Sequence, residues 1–91
     1  MAEDRLDIDL QTLEDNGELR QVEFEAEASE ERYQFAVQYD VLEALSGMSP
    51  EGEAISVFKD HADEIAYAGV VALARDPDQD IVVISENDLD Q

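Results

Sequence analysis

Apolar and polar residues alternate along much of the first forty positions. Leu6, Ile8 and Leu10 are separated by Asp7 and Asp9, the period-two pattern of a half-buried strand. Leu13 breaks that parity, which predicts a bulge or the strand end near Thr12. Asn16-Gly17 follows as a turn dipeptide, since both residues tolerate positive φ. Val22, Phe24, Ala26 and Ala28 then alternate with Glu23, Glu25 and Glu27. After the polar link Ser29-Glu30-Glu31-Arg32, Tyr33, Phe35, Val37 and Tyr39 form a second alternating run. Two such runs across a short link predict an antiparallel hairpin with one wet face.

The period changes after Tyr39. Asp40 as N-cap and Glu43 three residues on resemble a capping box, and Gly47 suits a left-handed stop, so a short helix is expected. Ser49-Pro50-Glu51 reads as the start of a second helix, with Ser at the cap and Pro at its first position. Pro77 ends it at about Arg75, and its length makes a kink or break near Gly69 the expectation. Ala54, Phe58, His61, Ile65, Ala68 and Ala72 form one stripe, with Ile55, Ala62 and Leu73 beside it. The opposite face is polar in its first half and apolar in its second, at Tyr67, Val70, Val71 and Ala74. Ile81-Val82-Val83-Ile84 reads as an internal strand buried on both faces.

The pattern predicts an α+β domain spanning 1–91. A largely antiparallel sheet of three or four strands is covered on one face by a short and a long helix, in the order β-β-β-α-α-β. Residues 1–5 and 86–91 are expected to be frayed, with Leu89 as an anchor. Asp plus Glu number 25 against 5 Lys plus Arg, a formal net charge of -20. High net charge is a signature of disorder, yet 44% hydrophobic residues in periodic blocks argue for a folded core under a charged shell. The basic patch that nucleic acid or an anionic membrane requires is missing, so direct binding to either is not expected. The absence of Cys removes disulfides and thiolate chemistry and points to a reducing compartment. The acidic start has no signal-peptide pattern, and the apolar run from Ile65 to Ala74 is about half a membrane span, so a cytoplasmic location is expected.

The order of elements and several residues resemble a small bacterial family catalogued as domain of unknown function 1488. Val22-Glu23-Phe24 in the hairpin carries the resemblance, with Val37, Leu42-Glu43 and Gly47 around the short helix. Ala54, Phe58, His61 and Ile65 continue it on the long helix, then Val82-Val83-Ile84 and Asp88-Leu89. The chain differs at Ser29-Glu30-Glu31, where a Gly-containing turn fits the pattern, and at Gln38 and Val41, where Ser and Ala do. The resemblance implies a compact α+β fold and carries no activity, cofactor or site residue.

His61 is the only His and the natural acid–base candidate, but its place on the apolar stripe between Phe58 and Ile65 favours a structural role. Asp76, Asp78 and Asp80 mimic the start of a calcium loop, whereas Ile81 and Asn87 stand where that loop needs Gly and Glu. The scattered glycines form no phosphate loop. No catalytic, cofactor or metal site is therefore expected. Tyr67, Val70, Val71 and Ala74 form the candidate interface, for a homodimer or another protein. The leading expectation is a non-enzymatic protein working through such contacts. The alternatives are an acidic nucleic-acid mimic that binds a basic protein and an enzyme using His61. The acidity reads first as adaptation to a saline cytosol, and second as a match to a basic partner.

Overall fold

A computed structural model describes residues 6–28, 30–75 and 78–89. Four strands, β1 (Asp7–Asn16), β2 (Gln21–Ala28), β3 (Glu31–Gln38) and β4 (Ile81–Ile84), form one sheet in the order β1-β2-β3-β4. The first three are antiparallel meander strands, and β4 joins β3 in parallel. Between β3 and β4 run α1 (Tyr39–Ser46), α2 (Ala54–Asp60) and α3 (Ala62–Arg75). The expected α+β class and mostly antiparallel sheet are what the chain adopts.

The parity break in β1 is a bulge. Pairing with β2 shifts between Asp9 and Glu14, and Thr12 fills the gap. Its Oγ1 accepts from the Glu25 amide at 2.9 Å and donates to the Asp9 carbonyl at 2.7 Å. The shift lets Ile8 and Leu13, of opposite parity, both pack against the core, while Leu10 turns outward. In the following turn the left-handed residue is Arg20, at φ 55, rather than a member of Asn16-Gly17. Asn16 contributes a side-chain acceptor for the Leu19 amide at 3.1 Å.

β2 and β3 pair from Gln21↔Gln38 to Ala28↔Glu31, leaving a two-residue loop. Val22, Phe24, Ala26, Phe35 and Val37 point to the helices and are buried. Phe24 stacks on Phe35 at 5.4 Å between ring centroids and meets Phe58 of α2 edge-on at 4.9 Å. This aromatic trio ties the sheet to the helical layer.

Three details of the helical region depart from the sequence reading. Helix α1 follows β3 without a loop, so its N-cap is Gln38 and Asp40 lies in the first turn without a side-chain cap bond. Gly47 does end it, at φ 80, its amide donating to the Glu43 carbonyl at 2.7 Å. Ser49-Pro50 does not start the next helix. Gly52 adopts φ 83 and the Glu53 amide closes a turn onto Pro50, which leaves Ala54 as the first helical residue. The long helix then breaks at His61, not at Gly69. The His61 amide is shared between the Val57 and Phe58 carbonyls, and the bend keeps Phe58 and Ile65 both in the core. Gly69 instead permits a close approach: a Cβ there would lie 2.7 Å from Cδ2 of Leu6.

Two further differences lie after the helices. β4 is an edge strand with alternating burial, not an internal one: Val82 and Ile84 are buried, whereas Ile81 and Val83 stay 38% and 39% exposed on the outer face. A four-residue apolar run has the same pattern in either setting. Residues Glu86–Asp88, expected to fray, form a 3₁₀ turn with Asp88 buried and Leu89 packed on the core. Positions 1–5 and 90–91 lie outside the described residues.

Candidate functional site

Burial at α3 follows its helical geometry. Ile65, Ala68, Gly69 and Ala72 face the sheet. Ala66, Val70 and Leu73 lie on the flank packed against the core by neighbouring elements. The remaining flank carries Tyr67, 54% exposed, Val71 at 36%, and exposed Ala74. Of the four residues singled out in the sequence, the fold leaves Tyr67, Val71 and Ala74 open and half-buries Val70.

Arg75 follows Val71 by one turn and belongs to the same flank. Its guanidinium pairs with the buried Asp88 carboxylate and lies 3.5 Å from the Val83 carbonyl of β4. The open flank of α3 therefore runs alongside β4. Asp88 accepts from the Ser85 amide at 3.0 Å as well, so its buried charge is paired and bonded. This clasp fixes the segment after β4 against α3.

On the far side of the sheet, Ile81 neighbours Gln34 and Val83 neighbours the fully buried Ala36. Sequence reasoning missed Ile81 and Val83 because a run without polar neighbours has no parity to read. Pro77 and the short length of the run were the available signals for an edge position. Tyr67 and Val71, on α3, and Ile81 and Val83, on the outer sheet face, thus lie on opposite sides of the sheet, and β4 pairs with no described strand other than β3. The other edge is defended differently: β1 has its bulge and the acids Asp7, Asp9 and Glu14.

The outer sheet face beyond Ile81 and Val83 is acidic. Arg32 crosses it, with Nε 2.8 Å from Glu25 and a terminal nitrogen 2.7 Å from Asp9. The Arg32 hydrogen bond holds the Asp9 carboxyl below the usual carboxylate range. An open groove of about 530 Å³ lies between this pair and Asp78 and Asp80. Asp76 lies outside the described residues, and no group of three His, Asp or Glu side chains among the described residues is placed to hold a metal.

His61 sits at the α2–α3 bend with its side chain 26% exposed, and its Nδ1 is 2.7 Å from Glu64. A second open groove, of about 450 Å³, is lined by Asp15, Glu53, Ile55, Ser56 and Lys59. Beside it the buried Tyr39 donates its hydroxyl to Asp15, and Arg20 lies over the Tyr39 ring at 5.2 Å while pairing with Glu51. The bond to Asp15 and partial burial push the Tyr39 phenol up to about 12. These contacts lock Arg20 and Tyr39 across the β1–β2 turn and α1, a structural duty.

No family model matches the chain. No curated protein matches it either. Among solved structures, it is similar to a crystal structure of a protein of unknown function from the domain of unknown function 1488 family, from Shewanella loihica PV-4. The TM-score is 0.71 over 99% of this chain and 100% of that one, at 15% sequence identity. The two chains share a fold. That agrees with the family resemblance read from the core residues, and it extends the likeness to the β1 region, which the residue pattern had left out.

Proposed function

We propose that this chain is a non-enzymatic protein that acts through contacts with other proteins, self-association first among them. The observation that carries the reading is the set of exposed uncharged side chains on the last two elements, Tyr67 and Val71 on α3 and Ile81 and Val83 on β4, in a chain of net charge -20. Exposed aliphatic and aromatic side chains gathered about one sheet edge are the usual mark of a contact surface. Supporting it, the charged clusters have structural partners: Arg32 with Asp9 and Glu25, Arg75 with Asp88, His61 with Glu64.

A nucleic-acid mimic draws less support. Its acids should gather in one stripe, whereas here Glu25 and Glu27 stand on the outer sheet face and Asp40, Asp60 and Asp63 stand on the helices. The test is sedimentation equilibrium of the intact chain and of Tyr67→Ser/Val71→Ser. Both sites are exposed, so the variant should keep its urea midpoint and lose association. A parent chain that stays monomeric at micromolar concentration in every salt overturns the reading.

A further inference from the structure

We infer that two copies of the chain join edge to edge through β4, continuing both sheets into one eight-stranded sheet that is antiparallel at the new β4–β4 seam. The inference rests on the contact reading above and names the partner and the pairing. An edge strand recruits another strand unless charge, proline or a bulge prevents it; at β4 the exposed Arg75 guanidinium, 3.5 Å from the Val83 carbonyl, has to swing aside. β1 carries a bulge and acids, whereas Ile81-Val82-Val83-Ile84 has neither. With net charge -20 on each copy, close approach is favoured only where the facing surfaces are uncharged. Along β4 itself the exposed side chains Ile81 and Val83 meet that condition for a second copy, with Asp80 and Glu86 just beyond the strand ends.

Pleat parity then restricts the register. A two-fold axis perpendicular to the sheet keeps the outer faces of both copies on one side. Opposed residues must share a face, so Ile81 and Val83 can oppose only Ile81 or Val83 of the second copy. The axis therefore passes through Ile81, Val82 or Val83, and only at Val82 do both side chains face an apolar partner. With the axis at Val82, Ile81 lies opposite Val83 twice, and the four side chains form one apolar row beside Ala36. In the helical layer, the open flanks bearing Tyr67 and Val71 come side by side above the joined strands. At each end, Asp78 of one copy approaches Glu86 of the other, so salt should strengthen the pairing.

Amide exchange of residues 81–84, followed in molar potassium chloride at low and high protein concentration, tests this. Exchange in β4 should slow several-fold as concentration rises. Val83→Glu, an exposed position, should abolish the slowing and give a monomer by sedimentation, with an unchanged urea midpoint as the check on folding. A chain that associates while its β4 amides ignore concentration overturns the edge pairing and leaves the contact reading standing. A chain that is monomeric throughout overturns both.

Discussion

Tyr39 and Asp88 show how single side chains hold the ends of the fold together. The phenol of Tyr39 is kept protonated by its bond to Asp15, with a pKa raised from 10.0 to about 12. A pKa raised on folding adds stability that is complete below pH 10 and is lost as pH rises through about 12. Urea unfolding as a function of pH should show this loss. Tyr39→Phe should flatten it and lower stability near neutrality by about 0.5–1.5 kcal/mol. Asp88 is buried, but its partner Arg75 is 45% exposed, so solvent weakens the pair. Asp88→Ala strips the Ser85 amide and Arg75 of an acceptor and should cost about 1–3 kcal/mol in urea unfolding. Asp88→Asn keeps the bond to Ser85 and should cost less; equal losses would contradict the capping role.

The elements depend on a few residues in left-handed geometry. Gly47 ends α1 at φ 80, and Gly47→Ala should destabilise by about 1 kcal/mol, read from the urea midpoint. Glu30 occupies the same region, at φ 67 in the β2–β3 loop, without glycine's freedom. Glu30→Gly should therefore stabilise by up to about 1 kcal/mol, and a lower midpoint would refute the strain. Strands β1 to β3, the β1 bulge and the stop at Gly47 were legible in the sequence because alternation and turn chemistry are local signals. The break at His61 was not, since bend and straight helix share one apolar stripe and only the sheet beneath decides between them. The edge position of β4 was hidden for a related reason: a short apolar run looks alike in the middle and at the rim. Of the candidate surface, Tyr67, Val71 and Ala74 were readable from helical period, Val70 was half covered by its neighbours, and Ile81 and Val83 emerged only with the sheet order.

At the scale of the whole molecule, charge and contact surface act together. Acids stand on the outer sheet face, on the helices and in the loops, so each copy repels itself and its neighbours. Salt screens both, the Debye length falling to about 3 Å at molar ionic strength. Thermal unfolding should therefore shift upward by several degrees between low and molar potassium chloride, and a flat response would contradict a shell suited to saline surroundings. Salt also separates the two kinds of partner, because a cationic protein held by acids is released as salt rises, whereas copies joined through an uncharged edge bind more tightly. The most direct test is sedimentation equilibrium of the intact chain across that same salt range. The account predicts a monomer at low salt that becomes a dimer in molar potassium chloride; a chain that remains monomeric, or dissociates as salt is added, contradicts it.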